Sequence, residues 1–125
     1  MKPGVSVIIL ALLCSVSVHL SVAQQLKMHE TVVDTTMLRA VVVTIEAGKK
    51  TDVHTHPADF FYALTPCKLK VHYSDGKTED YDIKTGEGGY GDPERPHWTE
   101  NVGKKTAKFL LVELKEHPYK AGKTK

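Results

Sequence analysis

Cysteine is nearly absent from this chain: two occur in 125 residues, and Cys14 falls inside an apolar run close to the start, so Cys67 is alone in the remainder. One thiol cannot close an internal disulfide. That excludes a disulfide scaffold and leaves a packed core, a bound metal or a partner subunit to hold a small domain together. An excess of charge of one sign is also missing. Lys and Arg number 17 against 15 Asp and Glu, a formal net charge of +2, and the lysines are scattered among the acids. Nucleic-acid binding therefore has no electrostatic footprint. The sequence shows no sustained helical periodicity, no internal repeat, no low-complexity tract, and no serine or cysteine with a suitable base beside it. A length of 125 residues leads to the expectation of one domain and not of a multidomain enzyme. A composition of 41% hydrophobic and 26% charged residues excludes a disordered chain.

What is present begins with an address. After Lys2 the chain runs Val5-Ser-Val-Ile-Ile-Leu-Ala-Leu-Leu-Cys14 and continues with milder hydrophobicity to Ser21-Val22-Ala23, which closes on small residues. This predicts a secretory signal peptide over residues 1–23, cleaved after Ala23, and a secreted or periplasmic product with no membrane association after cleavage. Leu13 stands where a lipoprotein signal needs a small residue before Cys14. Residues 24–37 form an N-terminal segment, residues 38–115 the folded domain, and residues 116–125 a flexible tail with little apolar content.

Within the domain, Leu38 to Ile45 is rich in β-branched residues and reads as a buried strand. Cys67, Leu69, Val71 and Tyr73 alternate with Lys68, Lys70 and His72, the period-two pattern of a half-buried strand. Asp75-Gly76 then predicts a type I′ hairpin turn, with alternation resuming at Glu79, Tyr81 and Ile83. Gly86, Gly88, Gly89 and Gly91 read as turns or bulges, Pro93 and Pro96 as interruptions of ladder pairing, and Lys108 to Leu114 as a last strand. Short strands between frequent turns define an all-β sandwich or barrel.

The chemistry-bearing residues are histidines. In Val53-His54-Thr55-His56-Pro57, two imidazoles stand two residues apart and share one face of an extended strand. Asp59 follows, and His97 lies downstream after the Gly/Pro-rich stretch. Neutral imidazoles and a carboxylate suit iron(II), manganese, nickel or zinc. A His-x-His pair is also found on strands with no ligating role.

These residues resemble a known family. Gly48, the His54-Thr-His56-Pro57 run and Phe60-Phe61-Tyr62-Ala63-Leu64 resemble the first motif of the cupin superfamily. Gly86 through Pro93, then Pro96-His97 and Asn101, resemble the second. The run also resembles small single-domain cupins of β-alanine degradation, which read His-x-His-Pro-x-His, and Asp59 occupies the place of that last histidine. The resemblance implies a single-domain cupin β-barrel (jelly roll, or double-stranded β-helix), a divalent transition metal held by His54, His56 and His97, and a homodimer. The glutamate usual after the first histidine pair is missing, and Asp59 takes its place as the candidate acidic ligand. The glycine of the second motif's Pro-x-Gly is replaced, in Asp92-Pro93-Glu94.

Other residues carry blander expectations. Cys67 reads as a small core residue, His29 and His117 as solvated, and Phe60, Phe61 and Tyr62 as lining or packing the barrel. Arg95 could fix a carboxylate or sit on the rim, and Trp98 packs on the outer sheet face. Glu100 and Asn101 could support His97 by hydrogen bonding. The leading functional reading is a metal-dependent cupin enzyme of dioxygenase, isomerase or lyase type. It would act on a small organic acid or sugar-like molecule, with no catalytic residue assigned. The alternatives are a noncatalytic small-molecule-binding module and a purely structural metal.

Overall fold

The computed structural model describes residues 27–122. The expected signal peptide, with Cys14, lies outside the described residues. Nine strands run in order: β1 (His29–Asp34), β2 (Leu38–Ile45), β3 (His54–His56), β4 (Asp59–Ala63), β5 (Cys67–Tyr73), β6 (Thr78–Ile83), β7 (Gly88–Gly91), β8 (Glu94–Asn101) and β9 (Ala107–Leu114). They form a five-stranded antiparallel sheet in the order β1-β2-β9-β4-β7 and a four-stranded one in the order β3-β8-β5-β6. The expected all-β barrel, a double-stranded β-helix, is the fold.

Period-two alternation places the core between the sheets. Val41, Val43 and Ile45 of β2 meet Ala63, Cys67, Leu69 and Ala107, with Ile83, Phe109 and Leu111 packed against them. Cys67 is fully buried, and its thiol faces the Thr65 carbonyl at 3.2 Å. Toward the other end of the barrel the same inward rows turn polar. Arg39 precedes Val41 on β2, Glu113 follows Leu111 on β9, Asp59 precedes Phe61 on β4, and Tyr73 follows Val71 on β5. All of these line a cavity of about 1300 Å³.

Three local readings are corrected. The β5–β6 turn is not type I′, because among the described residues only glycines have positive φ. Gly76 N–H donates to the Tyr73 carbonyl at 2.9 Å and Gly76 itself has φ 85°, so Ser74-Asp75 form a type I turn closed by a glycine bulge. Gly88 to Gly91 form a strand, since this stretch pairs in full with Asp59–Tyr62. At Gly91 a Cβ would stand 3.2 Å from Asp59 Oδ2, so the missing side chain is room for a buried carboxylate. The N-terminal segment also contributes a strand: β1 lies exposed at the sheet edge, paired to β2, and its His-Glu-Thr-Val-Val-Asp sequence carries no alternation to announce it. In the tail, the His117 carbonyl accepts from Ala58 N–H at 2.9 Å, and Tyr119 and Lys120 line the cavity.

Candidate metal centre

Strand pairing brings the histidines together. His54 on β3 is the direct cross-strand partner of His97 on β8, and His97 is in turn the partner of Tyr73 on β5. One inward row across three strands therefore carries His54, His97 and Tyr73. His56, two residues on along β3, projects to the same face. One ring nitrogen from each of His54, His56 and His97 lies within 4.8 Å of the other two.

The opposite nitrogens are held by backbone carbonyls. His54 Nδ1 lies 2.8 Å from the Asp52 carbonyl, His97 Nδ1 2.7 Å from that of Arg95, and His56 Nδ1 3.1 Å from that of Pro57. A carbonyl oxygen only accepts, so each Nδ1 carries the proton and each Nε2 is the donor nitrogen available to a metal. Metal-binding histidines are oriented in this way, the outer hydrogen bond fixing tautomer and ring plane together. The donor set fits a divalent transition metal.

Asp59 is brought to this cluster from behind. It is 3% exposed, and its Oδ2 stands 2.9 Å from His56 Nδ1, on the side of the ring away from Nε2. The single Nδ1–H can point at Pro57 or at Asp59. With the proton on the carbonyl, Oδ2 is left buried without an aligned donor, in charge contact only.

A second carboxylate, unmarked in the sequence reading, stands in front. Glu94 Oε2 lies 3.1 Å from His56 Nε2 and 3.6 Å from His97 Nε2, while Oε1 accepts from the Tyr73 hydroxyl at 2.5 Å. The β3–β8 ladder explains its position. His54 pairs with His97 but His56 pairs with Glu94, so β8 carries one extra residue between the two rungs. Regular pairing would have set Arg95 opposite His56; the bulge sets Glu94 there. The signal was Pro93-Glu-Arg-Pro96, in which Pro96 cannot donate to a ladder.

Electrostatics follow the geometry. Burial alone would lower the His56 pKa, but contacts with Asp59 and Glu94 outweigh it and hold it up at about 10. Burial alone would raise Glu94; His56, Tyr73 and the neighbouring His97 bring it down to about 2. His97 is lowered, chiefly by burial. The Tyr73 hydroxyl is raised by burial and by the carboxylates of Glu94 and Glu79.

The remaining expectations sort by contact. Asn101 is fully buried but does not support His97; its Nδ2 donates to the Ile45 and Lys105 carbonyls at 2.8 Å each, and its Oδ1 accepts from Gly103 N–H at 2.9 Å. Glu100 pairs with His72 Nε2 at 3.1 Å instead. Trp98 is on the outer face as expected, stacked on His72 with ring centroids 3.6 Å apart. Arg95 lies over the Tyr73 ring at 3.7 Å, with its Nε 3.1 Å from Asp75 Oδ2. Arg39, also unmarked earlier, lines the cavity with its Nε bound to Glu113 at 2.6 Å.

Comparison with known proteins agrees with this architecture. The family model described as a cupin domain matches residues 41–113. The chain belongs to the cupin family. It is 26% identical over 83 residues to the oxalate decarboxylase OxdC of Bacillus subtilis, a match covering 64% of this chain but 22% of that protein, so the chain spans about a fifth of that relative's length. Among solved structures, a cupin domain from Bordetella pertussis is similar at a TM-score of 0.63 and 15% identity, covering 69% of this chain and 90% of that one. A double-stranded β-helix protein from Klebsiella pneumoniae is similar at a TM-score of 0.56 and 22% identity, covering 69% and 74%. Among the described residues no helix is long and apolar enough to cross a membrane.

Proposed function

We propose that this protein is a small exported cupin that binds one divalent transition metal through His54, His56 and His97 and uses it as a Lewis acid on a small organic acid or sugar-like molecule. The observation that carries the reading is the arrangement of the three imidazoles: every Nδ1 engaged by a backbone carbonyl, and three ring nitrogens clustered on a large cavity. The metal would polarise a bound oxygen of the ligand. The chain's own residues orient and select. Arg39, its Nε fixed by Glu113, would offer its Nη groups to a carboxylate or hydroxyl across the cavity, and Phe61, Leu111 and Val71 supply apolar wall.

Export is supported by the apolar run Val5–Cys14 and the small residues Ser21 and Ala23. Homodimerisation is supported by the outer face of the five-stranded sheet. There Phe60 and Tyr62 lie exposed beside Tyr90 on β7, with Val112 and Leu110 as their partners on β9.

The test is water relaxation on the Mn(II)-loaded protein. Fast relaxation that small organic acids or polyols suppress supports an open, ligand-binding metal. Slow relaxation unaffected by any of them marks a closed structural metal, and failure to load Mn(II) leaves the noncatalytic binding module.

A further inference from the structure

The front and back of His56 are occupied by different carboxylates, and only one can share a metal with the three histidines. Donors about 2.1 Å from a metal and at right angles to each other lie about 3.0 Å apart, and at tetrahedral angles about 3.4 Å. Glu94 Oε2 comes near these spacings from two of the histidines, at 3.1 Å from His56 Nε2 and 3.6 Å from His97 Nε2; the donors already within 4.8 Å of one another are the three histidines, so Glu94 has to swing toward His54 to share their metal. Asp59 Oδ2 meets neither, because its 2.9 Å contact is with Nδ1, the nitrogen across the ring.

We propose that Glu94, presented by the β8 bulge, is the acidic ligand of this centre, and that Tyr73 and Asp59 are positioning residues on either side of it. The proposal rests on the reading of His54, His56 and His97 as a metal site. It places the carboxylate in the second histidine segment, on the same strand as His97, instead of after the His54/His56 pair.

Tyr73 fixes how Glu94 binds. Its hydroxyl has one proton, and the 2.5 Å contact to Glu94 Oε1 takes it in preference to the 3.1 Å contact with Glu79 Oε2. Glu79 is served by Tyr81, whose hydroxyl donates to it at 2.6 Å. With Oε1 engaged, Glu94 offers Oε2 alone, so it binds through one oxygen. The Arg95 guanidinium, carried by the bulge itself, lies 3.7 Å over the Tyr73 ring and holds that ring in place. Asp59, in the Gly91 recess, orients the His56 ring from behind.

The experiment is a titration with Co(II) alone of the chain from Gln24, which retains every described strand. It follows the dissociation constant and the visible absorption that reports the coordination sphere. Wild type is compared with Glu94→Gln, Asp59→Asn, Tyr73→Phe and His97→Ala, each checked by thermal melting in the metal-free form. Glu94→Gln should weaken binding roughly 100-fold and change the absorption envelope. Asp59→Asn and Tyr73→Phe should weaken it roughly 10-fold with the envelope kept.

Wild-type affinity and spectrum in folded Glu94→Gln, with binding lost in His97→Ala, would overturn the proposal and leave the histidine site standing. A changed envelope in Asp59→Asn but not in Glu94→Gln would overturn it in favour of Asp59. Should Glu94→Gln not fold, Tyr73→Phe decides: unchanged affinity overturns the proposal, and the 10-fold loss supports it. If wild type takes up no Co(II), the histidine reading fails and this proposal with it.

Discussion

His56 and Glu94 face each other across the β3–β8 ladder, Nε2 to Oε2 at 3.1 Å, at the rung where β8 gains its extra residue. In the metal-free protein this is a half-buried ion pair, and a metal must displace the imidazolium proton before it can take Nε2.

Stability of the metal-free protein should therefore depend on pH in a definite sense. The His56 pKa is raised from 6.5 to about 10 on folding, so its contribution is complete below 6.5 and is lost as pH climbs through about 10. The Glu94 pKa is lowered from 4.5 to about 2, so its contribution is present above 4.5 and is lost as pH falls toward 2. Melting temperature should be highest between these limits, near pH 4.5–6.5, and fall on both sides. A flat profile from pH 6.5 to 10 in the wild type would contradict the pairing, and in His56→Ala the alkaline fall should be much reduced.

Metal affinity should run the other way, rising from pH 6 toward pH 10 as the His56 proton becomes easier to expel. Calorimetric titration in two buffers of different ionisation enthalpy should count about one proton released per metal near neutrality. Zero release would contradict a protonated His56.

Asn101→Ala should cost about 2 kcal/mol by urea denaturation, because it leaves the buried Ile45 carbonyl, and the partly buried Lys105 carbonyl and Gly103 N–H, without their partner. Metal affinity of the folded fraction should hardly change. A large loss of affinity with little loss of stability would instead place Asn101 behind His97.

Gly91→Ala should disturb the site from behind. The added methyl would stand 3.2 Å and 3.3 Å from the two Asp59 oxygens, so the carboxylate must shift off its place behind His56. About 1–3 kcal/mol of stability should be lost, together with metal affinity, and a variant as stable and as tightly binding as wild type would contradict the recess.

The outer sheet face predicts a dimer that Leu110→Asp disrupts. Sedimentation velocity should show the wild type near twice its monomer mass and the variant at monomer mass. A wild type monomeric at every concentration would remove this reading.

Much of the barrel was legible because its strands announce themselves locally. Leu38–Ile45 has the bounds its β-branched residues predicted and Cys67–Tyr73 those its alternation predicted, since both signals are properties of the segment itself. What escaped depends on partners. β7 is a strand because the aromatic strand β4 pairs with its glycines, and β1 because β2 offers it an edge. The histidine cluster was visible because His-x-His fixes two side chains on one face without reference to any other strand. Glu94 was invisible because its direction is set by a bulge. Counted along a regular strand from His97, Arg95 points inward and Glu94 outward. Asn101 was misread for a related reason: its side chain turns to close the β8–β9 connection instead of reaching back along its own strand.

The central claim is that three histidines form one metal site, and elemental mass spectrometry on the untagged protein tests it most directly. Wild type should carry close to one equivalent of iron, manganese, nickel or zinc, and the His54→Ala/His97→Ala protein, still folded by its melting profile, should carry almost none. A wild type that is metal-free as purified and cannot be loaded, or a double variant that retains its metal, would contradict it.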